Sequence, residues 1–70
     1  MSLKRRFKTE PPLLSKIKNL LEGYDGLTIM TAVEPKKGIF ELIFTEGLAA
    51  ELDSVIKGIG KEVPLDEIQP

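Results

Sequence analysis

The stretch that decides the fold is K-K-G-I-F-E-L-I-F, Lys36 to Phe44. From Ile39 to Thr45 the chain is rich in aromatic and β-branched residues, which predicts a β-strand. Pro35-Lys36-Lys37-Gly38, just before it, is typical of a hairpin turn. A second strand is predicted at Leu27 to Glu34, so we expect an antiparallel hairpin in the middle of the chain.

One amphipathic helix is predicted on each side of this hairpin. The first runs from about Pro12 to Glu22 and ends at Gly23 in a left-handed conformation. The second has Thr45 as a possible N-cap and Gly58 as its stop. Its apolar stripe consists of Leu48, Leu52, Val55, Ile56 and Ile59. A shift of 35 residues places the apolar positions of the first helix on those of the second, as an internal repeat would.

Weaker strand signals lie at the two ends of the chain, at Leu3 to Lys8 and at Glu62 to Leu65, and residues 66–70 are expected to be a frayed tail. The order of elements is then βαββαβ. We predict one α+β domain, residues 1–70, with a ferredoxin-like βαββαβ sandwich. Its antiparallel four-stranded sheet has the order 4-1-3-2, and both helices cover one face.

The basic first strand has an expected partner inside this fold. The acidic C-terminal segment lies beside it, so Lys4, Arg6 and Lys8 are predicted to meet acidic side chains across the strand pair. Arg5 fits poorly, because it shares a face with Leu3 and Phe7 and must extend out of the core.

Composition narrows the range of functions. The chain has no cysteine and no histidine, which removes thiolate and imidazole metal ligands and the usual acid–base group at neutral pH. Ten basic residues against eleven acidic ones argue against a dedicated nucleic-acid binder. No apolar run approaches the ~20 residues of a membrane span. No nucleophile has a base nearby in the sequence, so we expect a protein that is not an enzyme. We also expect it to be cytoplasmic and to bind no metal or cofactor.

The Lys36 to Phe44 stretch also partly matches the RNA-reading strand of an RNA recognition motif. In that motif, the third and fifth positions point to the open face of the sheet and stack on bases. Here those positions hold Ile39 and Glu41, while Phe40 and Phe44 are in the alternate register with Leu42. We therefore predict that the aromatic residues are in the core and that the strand does not read RNA.

The open face of the sheet is the predicted interaction surface. Ile39, Glu41 and Ile43 are expected to point outward from their strand, and Met30 and Ala32 from the neighbouring one. Contiguous exposed apolar surface marks an interface, so we expect a homo-oligomer, with another protein partner as an open alternative. The residues predicted for this interface are Met30, Ala32, Ile39, Glu41, Ile43 and Arg6.

Two family resemblances bear on function. E-P-P-L-L-S-K-I, Glu10 to Ile17, resembles the strand-to-helix turn of ACT regulatory domains. That resemblance implies an amino-acid sensor whose ligand loop consists of Thr9, Glu10, Pro11, Pro12, Leu13 and Leu14. L-L-E-G-Y-D-G-L and the following V-E-P-K-K-G-I-F-E-L, Leu20 to Leu42, resemble a small bacterial domain-of-unknown-function family with an E-G-Y-D-G-L motif, which implies the same fold and no known activity. A third alternative is weak nucleic-acid binding through Lys4, Arg6, Lys8 and Lys37.

Overall fold

Two helices and four strands make up the fold in the computed structural model, which describes residues 2–69. The elements, in chain order, are β1 (Ser2–Lys8), α1 (Leu14–Glu22), β2 (Ile29–Glu34), β3 (Ile39–Thr45), α2 (Ala49–Gly60) and β4 (Asp66–Ile68). Short 3-10 turns precede α1, β3 and α2, at Pro11–Leu13, Pro35–Lys37 and Glu46–Leu48. The predicted α+β class, with two helices and a four-stranded antiparallel sheet, is confirmed.

The sheet has the strand order β2-β3-β1-β4, which reads 4-1-3-2 from the opposite edge. Strands β1 and β3 are central and pair antiparallel over their whole length, from Ser2 opposite Thr45 to Lys8 opposite Ile39. Strands β2 and β4 form the two edges, each with one neighbour. Since residues that are directly paired share a face, this register fixes which side chains of the four strands lie together.

The core lies between the helices and one face of the sheet. Phe40, Leu42 and Phe44 alternate into it from β3, as predicted, and Phe7 joins them from β1. The rings of Phe7 and Phe40 stack with their centroids 5.7 Å apart. The helices contribute Ile17, Leu21, Leu52, Ile56 and Ile59. Burying one such side chain fully stabilises the fold by about 1.5–3 kcal/mol, so this alternation sets the orientation of β3.

The C-terminal strand lies later than predicted. Val63 donates its N–H to the carbonyl oxygen of Ile59 at 3.0 Å, so it completes the end of α2 and is not available to the sheet. Strand β4 begins only at Asp66, after Pro64. The prediction of a strand at Glu62 to Leu65 was therefore wrong, as was that of a frayed tail for Asp66–Ile68. Pro70 lies outside the described residues.

The predicted helix ends also need correction. Gly23 has φ −69° and remains right-handed, while Gly26, with φ 72°, is the left-handed residue that turns the chain toward β2. Gly58 lies inside α2, which continues to Gly60. Thr45 is extended and makes no side-chain cap hydrogen bond.

Candidate interaction surface

The open face of the sheet differs from the prediction at β2. Met30 and Ala32 pair with Leu42 and Phe40, which are buried in the core, so they lie on the helix-covered face. Their predicted outward orientation was wrong. Leu27, from which the alternation was counted, is buried in the turn before the strand, and its N–H bonds to the carbonyl oxygen of Tyr24 at 3.2 Å. The alternation counted from Leu27 was therefore out of register by one residue in β2, which exchanges the two faces.

The open face, corrected in this way, carries Ile29 and Thr31 on β2 instead. Ile29 pairs with Ile43, and Thr31 pairs with Glu41. Ile29 is 66% exposed, the largest value among the exposed large apolar residues that the structure describes. The residues of the open face are Ser2, Lys4, Arg6, Lys8, Ile29, Thr31, Glu34, Ile39, Glu41, Ile43, Thr45, Asp66 and Ile68.

An ion pair occupies the middle of the open face. Arg6 donates from Nε and Nη2 to Oε2 of Glu41, at 3.1 and 2.7 Å. The two residues are directly opposite each other on β1 and β3, and the Glu41 side chain is only 13% exposed. Arg6 therefore has its charge balanced within the sheet, by Glu41 rather than by the C-terminal segment as predicted.

Arg5 makes the contact with the C-terminal strand. It lies on the helix-covered face and donates to Glu67 from Nε at 2.9 Å and from Nη2 at 2.7 Å. Its Nη1 also reaches Asp53 on α2 at 3.3 Å, and its guanidinium carbon lies 5.3 Å from the Phe7 ring centroid. The residue that fitted the predicted core poorly thus extends out of it and ties β4 and α2 to β1.

These ion pairs shift the pKa values of their members. The hydrogen bonds that Arg5 donates to the Glu67 carboxylate lower the pKa of Glu67 and raise the pKa of Arg5. The pKa of Asp53 is lowered chiefly by Lys57, whose Nζ lies 3.1 Å from Oδ2, and secondarily by Arg5. All three shifts favour the charged forms, as expected for groups whose role is to hold elements together.

The loop expected to bind a ligand by resemblance to ACT domains is held by internal hydrogen bonds. Thr9 is buried; its N–H donates to the carbonyl oxygen of Gly38 at 2.9 Å, and its Oγ1 donates to that of Pro64 at 2.6 Å. The carbonyl oxygen of Glu10 accepts from the N–H of Leu13 at 2.8 Å. Pro11 and Pro12 are exposed, and Leu13 and Leu14 are half-buried. The N–H and the hydroxyl of Thr9 are thus already paired within the chain.

A cleft of about 300 Å³ lies between α1 and the outer edge of β2. Sequence reasoning did not predict it, although the E-G-Y-D-G-L stretch forms one of its walls. We call it the α1–β2 cleft. Its lining residues include Lys18, Glu22, Tyr24, Asp25, Ile29 and Met30.

The described residues contain no group of three or more His, Cys, Asp or Glu side chains that could hold a metal ion. No helix between residues 2 and 69 is long and apolar enough to cross a membrane.

Comparison with known proteins gives one match. A family model described as a domain of unknown function, DUF4911, matches residues 7–63. The match begins near the end of β1, includes α1, β2, β3 and α2, and ends before β4. No curated protein and no solved structure matches the chain.

Proposed function

The chain belongs to the DUF4911 family of domains of unknown function, and we propose that it is a small non-enzymatic interaction module. In this proposal the domain has the ferredoxin-like βαββαβ fold. The open face of its sheet binds a second copy of the same chain.

The exposure of Ile29 is the observation that carries the proposal. This side chain is 66% exposed beside its cross-strand partner Ile43, and Ile39 and Ile68 lie on the same face, beyond the Arg6–Glu41 pair. Apolar residues that cluster on one face of a soluble domain mark an interaction site more often than single scattered ones do.

A second copy suits this face because the face carries charges of both signs. Lys4 and Lys8 provide cations, and Asp66 provides an anion beside Lys8. Under two-fold symmetry each sign can meet its opposite on the partner, and the neutral Arg6–Glu41 pair in the middle adds no repulsion. A chain of about this length buries only roughly 60% of its unfolded surface, so it also gains stability from a copy of itself.

The size of the face predicts weak association. Four strands at a spacing of about 4.8 Å and a length of about 23 Å give a planar area on the order of 400 Å². A stable interface needs about 800 Å² from each partner. The oligomer is therefore expected to dissociate on dilution.

The test is the molar mass by light scattering over a range of concentrations, for the wild type and for Ile43→Asp. A carboxylate in the middle of the apolar surface must be desolvated when the faces meet, so Ile43→Asp is expected to lower the mass. Ala50→Asp adds the same charge at an exposed position on α2 and is expected to leave the mass unchanged. Thermal unfolding verifies that both variants are folded.

Equal masses for the wild type and a folded Ile43→Asp at every concentration would refute the open-face proposal. A wild type that stays at the 7.8 kDa of one chain throughout would refute it as well.

An ACT-like amino-acid sensor is the second candidate. It is favoured by the 3-10 turn Pro11–Leu13, which joins β1 to α1 where the resemblance places the ligand loop. A ligand that binds only the folded state raises the melting temperature by mass action. A thermal-shift screen of the free amino acids tests this, and unchanged melting temperatures would exclude a sensor for those ligands.

Nucleic-acid binding is the weakest candidate. Arg6 is already paired, and Ile39 and Glu41 stand on the open face where base-stacking residues would be needed. Binding through Lys4 and Lys8 would show as salt-sensitive retention on heparin.

A further inference from the structure

The two edges of the sheet are protected to different degrees. Strand β4 is three residues long, follows Pro64 and carries two carboxylates. Short length, charge and a nearby proline are the means by which proteins keep an edge from pairing with another chain. Strand β2 has six residues, contains no proline, and has Glu34 at its end as its only charge. A bulge between Ala32 and Glu34 limits its regular part to Ile29–Ala32.

The exposed apolar side chains are concentrated at the β2 edge. Of the large apolar residues that are exposed between residues 2 and 69, Ile29 and Val33 lie on β2 itself, and Tyr24 lies in the wall of the α1–β2 cleft beside it. An edge that combines unpaired backbone groups with apolar side chains is a template for strand addition.

We infer that β2 pairs antiparallel with β2 of a second copy, which joins the two sheets into one of eight strands. With a two-fold axis perpendicular to the sheet, the helix-covered faces of both copies lie on one side of the joined sheet and the open faces lie on the other. The axis then passes midway between the two copies of one middle residue of the regular segment, Met30 or Thr31, and that residue faces itself across the pair. No like charges meet along Ile29–Ala32, since that segment has no charged residue.

The cleft explains why the partner is a second copy. Its walls carry Lys18 and Glu22, one turn apart on α1. The two-fold axis makes the α1 helices of the two copies antiparallel. Lys18 of each copy is then placed toward Glu22 of the other copy. An isologous contact needs this kind of pattern, in which one surface is complementary to itself. The inference concerns the edge, and it does not require the open faces to stack.

The absence of cysteine from the sequence allows a direct test by disulfide cross-linking. Residues that face themselves across an antiparallel pair have Cα atoms about 4.5–5.5 Å apart, within reach of a disulfide. Sheets packed face to face are about 10 Å apart, beyond its limit of about 7 Å. Cross-linking at the β2 edge therefore reports edge pairing and is blind to stacking of the open faces.

The variants are Thr31→Cys and Met30→Cys, with Asp66→Cys on the opposite edge as the control. Each is oxidised with oxidised glutathione, and dimer formation is followed on a non-reducing gel. We expect either Thr31→Cys or Met30→Cys to cross-link at least about tenfold faster than Asp66→Cys, because pairing raises the effective thiol concentration. The excess is expected to vanish in urea. Rates equal to that of Asp66→Cys for both variants would overturn the inference.

The two association proposals fail separately in these experiments. Fast cross-linking at β2, together with a mass that Ile43→Asp leaves unchanged, refutes the open-face proposal and leaves edge pairing standing. Slow cross-linking at Thr31 and Met30, together with a mass that Ile43→Asp lowers, refutes edge pairing alone.

Discussion

Gly38 is the residue at which one methyl group is expected to damage this fold most. It has φ 76°, in the left-handed region, and it ends the turn that leads into β3. A Cβ atom built on it overlaps the carbonyl oxygen of Thr9 and lies 2.8 Å from the carbonyl carbon of that residue. The carbonyl of Gly38 also accepts the N–H of Thr9 at 2.9 Å, so the hairpin cannot move away without breaking a hydrogen bond.

The expected cost of Gly38→Ala has two parts. The left-handed conformation costs an alanine about 1–2 kcal/mol. Moving Thr9 out of the overlap breaks its hydrogen bond to Gly38 and strains the one to Pro64, at about 1 kcal/mol for each bond. The total is about 3 kcal/mol. A domain of this length is stable by only about 3.5–10 kcal/mol, so Gly38→Ala removes a third of that stability or more.

Two other glycines serve as matched controls for the same substitution. Gly26 has φ 72° but open space where a Cβ would lie, so Gly26→Ala is expected to cost only the conformational term, about 1 kcal/mol. Gly58 is helical, with nothing within 4 Å, so Gly58→Ala is expected to stabilise the protein by about 0.5–1 kcal/mol.

Urea unfolding followed by circular dichroism measures all three free energies. In thermal melts, each kcal/mol corresponds to about 4–8 °C for a domain of this size. The reasoning predicts the order Gly58→Ala, wild type, Gly26→Ala, Gly38→Ala, from most to least stable. A loss for Gly38→Ala no larger than that for Gly26→Ala would show that the close approach of Thr9 to the hairpin is absent in solution.

Three further predictions concern the core and its polar contacts. Arg5 lowers the pKa of Glu67 from 4.5 in the folded protein. The contribution of Glu67 to the free energy of unfolding is therefore complete above pH 4.5 and is lost as the pH falls through the pKa of the folded state. Glu67→Gln should flatten that acid loss in urea unfolding at a series of pH values, with an effect below about 1 kcal/mol because the carboxylate is half-exposed. Thr9→Val keeps the shape of the side chain and removes its hydrogen bond to Pro64. Urea unfolding is expected to show a loss of about 1 kcal/mol in the free energy of unfolding. An unchanged free energy would show that the hydrogen bond does not form. Leu52→Ala empties a fully buried site on α2 and is expected to cost about 2–5 kcal/mol by the same assay; a loss below 1 kcal/mol would contradict its central place in the core.

The hairpin and the first helix could be predicted from local sequence patterns. Strand β3 has the predicted bounds, Ile39–Thr45, because it is rich in aromatic and β-branched residues and a turn that begins with proline and ends with glycine stands before it. Helix α1 ends at Glu22 as predicted, although its first turn is a 3-10 turn. Here the local pattern and the tertiary packing favour the same structure.

The partners of Arg5 could not be predicted in the same way. Asp53 is 48 residues away along the chain and Glu67 is 62, and no local pattern connects them to Arg5. The sequence showed only that an arginine on the Leu3–Phe7 face needed a route out of the core. The position of β4 depended on the same long-range contact and on the hydrogen bond that keeps Val63 in the end of α2.

The apolar surface of the open face reaches the β2 edge. With Met30 and Ala32 on the covered face, Ile29 is the large apolar residue that β2 contributes to the open face, and it lies at the start of this edge strand. The apolar surface is then continuous from the face to the edge. Pairing two β2 edges would merge two faces of about 400 Å² into one of about 800 Å², which is the size that a stable interface needs from each partner. Edge pairing would thus make face stacking stronger, and the wild type is expected to reach four copies at high concentration.

In that case Ile43→Asp should stop at two copies, while a lysine at the edge, Thr31→Lys, should weaken both steps. A Thr31→Lys variant that still forms four copies as readily as the wild type would contradict the edge pairing on which this assembly depends.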